Sequence, residues 1–284
     1  MNRVRKAAAV VVLLWLGAAY VHRVHTDSCF QRSGPCPDAA PFTVGKGPVG
    51  VLLIHGFTDK PRVFDSFARL LAADTNLTVR AMRLPSVMDG DSVSSDGWME
   101  AVRGELAELR RSHRSVWLAG HSLGGTLALL TATREKVDGI VLLAPLVEPA
   151  GNGRFLTPLR QYLLVRGALP FTRVFPVRGE LDRAPAGEEN LRYRKELFVS
   201  AEAYQALFEM TGRLKELSSF PPVPVLCFSA TRDAVVDTAA AEDWMRRCCP
   251  AGKIIRLEEG HLLPLGTGRS GIAAEVVRFI ENTP

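Results

Sequence analysis

The pentapeptide Gly120-His-Ser-Leu-Gly124 sets a serine between two glycines, directly after the apolar run Ser115–Ala119 and directly before a helical pattern, Leu123–Glu135. On so sharp a strand-to-helix turn the serine backbone is strained and its hydroxyl is presented outward. Glycines two positions to either side remove the Cβ atoms that would collide where strand and helix converge. A helix starting beside Ser122 also aims free N–H groups and a partial positive charge at any oxyanion formed there. The chemistry implied is attack by the Ser122 hydroxyl on an acyl carbon, which requires a base to take its proton and a carboxylate to orient that base.

Six histidines are available. His22 and His25 flank an apolar leader, and His113 ends a charged Arg-Arg-Ser-His-Arg stretch, so these three read as surface residues. His121 adjoins the serine, where neighbouring side chains diverge, and suits packing. His55 follows a core strand and suits a structural hydrogen bond beside the site. His261, in Glu258-Glu-Gly-His261 after the last strand, is the candidate base. Asp233, on the loop after the preceding strand, is the candidate acid, and the chain order Ser122, Asp233, His261 is the one expected for a serine on such a turn. Asp237 is the alternative acid, although its place near a helix start suits an N-cap. For the oxyanion, the two backbone donors expected are Leu123 N–H and Phe57 N–H, the latter in the loop Leu53-Ile-His-Gly-Phe57.

These residues need a scaffold that brings loop ends together. Apolar runs at Val49–Ile54, Thr78–Met82, Ser115–Ala119, Gly139–Ala144, Val223–Phe228 and Lys253–Leu257 alternate with amphipathic stretches at Arg62–Ala73, Asp96–Arg111, Leu123–Glu135, Ala239–Arg247 and Gly271–Glu281. That alternation predicts an α/β fold. The near-continuous Val, Ile and Leu of the runs predict a mostly parallel central sheet with helices on both faces. Residues 145–222 interrupt the rhythm with helical patterns at Pro158–Val165, Glu188–Leu197 and Ala201–Leu217, and read as a small helical cap inserted between core strands. Its charges, such as Arg192, Arg194, Lys195, Glu188 and Glu189, read as solvated faces. Its apolar residues Phe155, Leu159, Leu163, Leu164, Phe171, Phe175, Tyr204, Leu207 and Phe208 read mainly as cap core, with an acyl pocket as their alternative role.

Composition sets the limits around this reading. With 47% hydrophobic and 23% charged residues over 284 positions the chain is globular, and disordered or collagen-like classes are excluded. Lys plus Arg at 35 against Asp plus Glu at 30 gives +5, too small an excess to indicate nucleic acid as a partner. Five cysteines are too few for a disulfide scaffold and lack the paired spacing of a zinc site, so no metal is expected. A Cys29–Cys36 bridge would close a loop if the domain is exported, while Cys227 reads as core.

Export is what the N-terminus indicates. Ala7–Val21 is an uninterrupted apolar run preceded by Arg3, Arg5 and Lys6, the charge order of a secretory signal or membrane anchor with the following domain outside the cytoplasm. Gly17-x-Ala19 offers a cleavage site, whereas Trp15 and Tyr20 followed by His22 and Arg23 suit the interfacial belt of an uncleaved anchor. Residues 1–47 therefore read as anchor or signal plus linker, and 48–284 as the domain that carries the site.

From about Val49 to Ile280 the chain resembles the α/β-hydrolase family, and within it bacterial carboxylesterases and monoacylglycerol-lipase-like enzymes. The resemblance rests on Leu-Leu-Ile-His-Gly-Phe-Thr (52–58), Gly-His-Ser-Leu-Gly-Gly (120–125), Asp233-Ala-Val-Val and Gly260-His261. It implies a Ser122–His261–Asp233 triad, an oxyanion hole from Phe57 and Leu123, no cofactor, and a small-molecule acyl ester as substrate, with thioesters and amides as alternatives. It leaves the oligomeric state open. One departure is that Leu84-Pro85-Ser86-Val87-Met88 stands where relatives often carry Pro-Gly-His-Gly.

Overall fold

Strands whose neighbouring side chains are all apolar must be covered on both faces, and the central runs are. In the computed structural model, which describes residues 2–33, 40–73, 75–150, 172–176 and 198–283, β2 (Val49–Ile54) and β5 (Gly139–Leu143) are buried at every position. With β1 (Phe42–Gly45), β3 (Leu77–Ala81), β4 (Ser115–His121), β8 (Val225–Ala230) and β9 (Lys253–Leu257) they form a seven-stranded sheet, order β1-β3-β2-β4-β5-β8-β9. All its pairs are parallel except β1 with β3.

Alternate residues feed two apolar clusters. Leu52, Ile54, Leu118 and Leu142 pack with α3 (Ser95–Ser112), α4 (Leu123–Ala132), α5 (Ala201–Lys215) and α6 (Thr238–Cys248) on one face. Val51, Leu53, Trp117 and Phe228 pack with α2 (Asp65–Ala72) and α7 (Arg269–Glu281) on the other. Each fully buried Leu or Val contributes about 1.5–3 kcal/mol, so this two-sided burial supplies most of the rigidity behind the site.

Register decides what meets what. Ile54 lies opposite Gly120, His121 opposite Leu143, and Ala230 opposite Leu257, so the C-terminal ends of β2, β4, β8 and β9 share one rim. The loops that follow them carry His55 to Lys60, Ser122, Asp233 and His261.

Five features differ from the sequence reading. The stretch read as linker contains β1, whose alternating burial marks an edge strand, and a first helix, α1 (Asn2–Ser33), runs well past the apolar leader, with no proline in its sequence to interrupt it. The run at 223–228 begins its strand only at Val225, since Pro224 has no N–H and contributes its carbonyl, which accepts from Ile140 N–H at 2.9 Å. Within 145–222 there is also a short antiparallel pair, β6 (Val174–Pro176) with β7 (Phe198–Ser200). Finally, α5 buries Tyr204, Leu207, Met210 and Leu214 in the main cluster rather than standing apart. The expected helices at Pro158–Val165 and Glu188–Leu197 lie outside the described residues, as do Phe155, Leu159, Leu163, Leu164, Phe171 and Cys36. Cys29 carries a free thiol on α1.

Candidate active site

Ser122 sits between the end of β4 and the first residue of α4 with φ 52° and ψ −118°. For a residue with a Cβ this is a costly conformation, of order 1–3 kcal/mol, and it is held from several sides. Ser122 N–H donates to Leu143 O at 3.0 Å, and its carbonyl accepts from Gly125 N–H at 2.9 Å and Leu146 N–H at 3.0 Å. A Cβ on Gly120 would stand 2.2 Å from the Gly124 carbonyl oxygen, and one on Gly124 would stand 1.9 Å from that of Ile54, so only glycine allows strand and helix to approach this closely. The other non-glycine residues of positive φ among those described, Thr58 and Ala144, also flank this rim.

His261 and Asp233 are brought together. The His261 Nδ1–H donates to Asp233 Oδ2 at 2.7 Å, which leaves Nε2 as the lone-pair nitrogen. Asp233 Oδ1 accepts from Val235 N–H at 2.8 Å and Val236 N–H at 3.0 Å. Burial alone would raise the Asp233 pKa. The hydrogen bond and charge of His261, with the Val236 and Val235 N–H groups, outweigh it and hold the carboxyl below its ordinary range. Burial pushes His261 below the ordinary histidine value despite the opposing pull of Asp233, which keeps the imidazole neutral and basic near pH 7. Asp237, the alternative acid, caps α6 by accepting from Ala240 N–H at 3.0 Å.

The residue next to Ser122, His121, is what touches His261. The ring centroids of His121 and His261 are 4.8 Å apart, and His121 Nε2–H donates to the His261 carbonyl at 3.0 Å. Its Nδ1 faces Asp59 Oδ2 at 3.2 Å, with both side chains almost wholly buried. His121 is thus a strut holding the His261 loop, a role beyond the packing read from sequence. It and Asp59 are the residues that sequence reasoning missed, and the only signal for Asp59 was its place in the turn after β2. Among the described residues the Ser122 hydroxyl has no hydrogen-bond partner.

The opposite wall comes from the loop after β2 and the loop 83–91. His55 accepts from Leu84 N–H at its Nε2, 3.1 Å, and donates from Nδ1 to Gly56 O at 3.0 Å. Burial lowers its pKa to about 4, the Gly56 carbonyl opposing only in part. Buried Lys60 pairs with Asp89 at 3.0 Å, and Arg83 bridges Asp89 and Asp91. Between these loops lies a small cavity lined by Gly56, Phe57, Pro85, Val87, Trp98, Leu123 and Ala203, among others. Both expected oxyanion residues, Phe57 and Leu123, therefore border one space. A Cβ on Gly56 would be 3.2 Å from Ser122 Cβ, which fixes how near that loop comes to the serine. Phe57 packs against Tyr204 at 5.3 Å and Trp98 at 6.2 Å between ring centroids. Tyr204, Leu207 and Phe175 belong to the main core cluster rather than to a separate cap core, with Phe208 packed against it. Among the described residues no cluster of His, Cys, Asp or Glu is arranged to hold a metal.

Comparison with known proteins places this geometry. Residues 51–274 match the sequence profile of the Alpha/beta hydrolase family. A thermostable monoacylglycerol lipase from Bacillus sp. (strain H-257) is 33% identical over 108 residues, 36% of this chain and 43% of that enzyme, so the chain spans less than half the length of this relative. Among solved structures, one of the metagenome-derived lipolytic enzymes LipS and LipT superposes with a TM-score of 0.73 at 19% identity, covering 87% of this chain and 99% of its own. The Paleococcus ferrophilus monoacylglycerol lipase gives 0.70 at 16% identity, covering 86% and 99%. At these identities the structural likeness speaks for the fold. With the profile spanning most of its length, and lipolytic proteins among its relatives, the chain belongs to the Alpha/beta hydrolase family.

Proposed function

We propose that this chain is a membrane-anchored serine esterase, with its site outside the cytoplasm, that hydrolyses carboxylic esters of short or medium acyl chains or monoacylglycerols through an acyl-enzyme. In this reading residues 48–284 form the hydrolase domain, 145–222 its cap, and the long apolar helix Arg5–Arg32 the anchor. The observation that carries the reading is the 2.7 Å bond from His261 Nδ1–H to a buried Asp233 carboxylate, which leaves Nε2 free to accept the serine proton.

Ser122 Oγ attacks the ester carbonyl as His261 Nε2 takes its proton, and Asp233 holds the tautomer and stabilises the imidazolium. The oxyanion is met by Leu123 and Phe57 N–H, and each such donor is worth about 3–4 kcal/mol in the transition state. His261 then protonates the leaving alcohol, and water attacks the acyl-enzyme with the same residue as base. The reaction calls on no cofactor. The Ser122–His261 hydrogen bond forms as substrate enters, since such contacts are often long in unliganded enzymes.

The test is a panel of acyl esters, thioesters and amides of graded chain length, run beside a fluorophosphonate probe and Ser122→Ala. Ester turnover and labelling that vanish in Ser122→Ala are expected. A wild-type protein that takes up no probe and cleaves no acyl compound would instead be a hydrolase-fold binding protein.

A further inference from the structure

The outer half of α1 does not simply tether the domain; it packs on the wall of the candidate site. Between Val10 and Val24 the helix exposes Val11, Leu13, Leu14, Tyr20 and Val21, each more than 60% accessible. From Ala19 onward one face turns inward: Ala19 is 0% and Thr26 4% accessible. His22 Nδ1 lies 3.3 Å from the buried Thr172 hydroxyl, just before β6. Phe30 meets Phe198 of β7 edge-on at 5.7 Å, and Cys29, Phe30 and Val87 close around Met88, Val174 and Phe198.

These contacts lead to the cavity by two short routes. Val87, on the 3-10 turn Val87–Asp89, is itself a lining residue. Ser200, the last residue of β7, caps α5 by accepting from Ala203 N–H at 3.2 Å. Ala203 lines the same cavity and its neighbour Tyr204 packs on Phe57.

Height along α1 supplies the scale. At about 1.5 Å per residue, the step from Val24, the last exposed apolar residue, to Phe30 is roughly 9 Å. The headgroup layer on each side of a bilayer is about 5–8 Å deep. Thr172 is therefore held at the level where the apolar stretch ends, and Phe198, Val87 and Met88 at or just above the headgroups.

Resting on the reading of α1 as an anchor and of Ser122 as a nucleophile, we propose that α1, the antiparallel β6–β7 pair and the Val87–Met88 turn form an access seam at the membrane surface. The substrate is accordingly an acyl ester resident in the bilayer, which passes along this seam to the cavity without crossing bulk water. Val87 and Met88 give the acyl chain an apolar path, and the ester, which sits at headgroup depth in an amphiphile, travels the shorter distance.

The test uses the full chain reconstituted in phosphatidylcholine vesicles, with 4-nitrophenyl palmitate dissolved in the bilayer and 4-nitrophenyl butyrate in the water. Phe30→Ala and Phe198→Ala each break the seam without touching the proposed machinery. Each is expected to lower palmitate turnover by about tenfold, the scale of one lost aromatic pair with its buried area, with butyrate turnover held within about twofold. The double variant is expected to lose little more than either single, and Phe30→Leu to recover most of the palmitate rate. An unchanged palmitate-to-butyrate ratio would overturn the seam, and so would equal loss on both esters, which would make the contact merely structural. If the wild type cleaves neither ester, the serine-esterase reading falls as well; if alkaline carbonate strips it from the vesicles, the anchor falls.

Discussion

The two walls of the candidate site are held by different physics. On the His261 side the geometry is set by short, buried hydrogen bonds: three into Asp233, one from His121 to the His261 backbone, and the strained turn of Ser122 clamped from Leu143 and Leu146. On the Phe57 side it is set by aromatic packing among Phe57, Trp98 and Tyr204 and by the Lys60–Asp89–Arg83–Asp91 ion pairs. Directional bonds fix atoms to the fraction of an ångström that proton transfer needs. Apolar surfaces and long charged side chains fix a shape and tolerate exchange of one residue for another. On the proposed function the first wall would carry the acyl-transfer chemistry, and the second would shape what this chain in particular admits.

The largest effect is expected where the first wall is broken at its centre. Asp233→Asn preserves shape but presents an amide that accepts poorly and favours the wrong imidazole tautomer, so kcat should fall by about 10³–10⁴ with KM little changed. Steady-state kinetics on a soluble ester measure it. A kcat within tenfold of wild type would remove Asp233 from the triad.

Acid should separate the walls next. His55 has a pKa of about 4 in the folded chain against 6.5 for an ordinary histidine, so the unfolded chain takes up a proton that the folded chain refuses. Its contribution is fully present above pH 6.5 and is lost as pH falls toward 4, roughly 3 kcal/mol in all. His261, lowered in the same direction by burial, adds to that loss and, as the proposed base, should set the ascending limb of kcat/KM below pH 6.5. Urea midpoints at pH 7 and pH 4.5 should differ in the wild type and differ less in His55→Gln, whose kinetic limb stays in place. A His55→Gln protein with undiminished acid sensitivity would transfer the stability change to other groups.

A smaller loss is expected from His121→Phe, which keeps the ring volume but takes one hydrogen bond from buried Asp59 and one from the His261 carbonyl. The cost should be about 2–3 kcal/mol of stability, with a fall in kcat exceeding any change in KM because the misplaced group is the base. Asp59→Asn restores a neutral partner and should recover part of the stability in the double variant. Strictly additive losses in that cycle, read from urea midpoints, would show that the pair does not act as a unit.

What could be read from sequence follows the same division. The sheet was legible because its strands are buried on both faces, and Ser122, Asp233 and His261 were legible because each follows a strand end that β-sheet register brings to one rim. Asp59 with His121, and Lys60 with Asp89, join residues far apart in the chain through side chains that carry no local pattern. β6 and β7 span three residues each, too short for any period to show, and β1 hides among Pro and Gly. The docking of α1 was hidden for a further reason: an apolar helix reads alike whether lipid or protein covers it.

The smallest expected effect tests the choice of acid that sequence left open. Asp237 caps α6, its carboxylate accepting from Ala240 N–H at 3.0 Å, and it lies one loop away from Asp233. Asp237→Ala should cost about 1 kcal/mol of stability, the ordinary worth of an N-cap, and leave kcat, KM and the pH profile of a soluble ester unchanged. Asp237→Ser should return most of that stability, since a serine hydroxyl caps nearly as well, yet could not act as a carboxylate toward His261. Recovery of the urea midpoint in Asp237→Ser with kcat at the wild-type value confines Asp237 to the helix start. A kcat that falls in both variants while stability recovers would move the orienting carboxylate from Asp233 to Asp237.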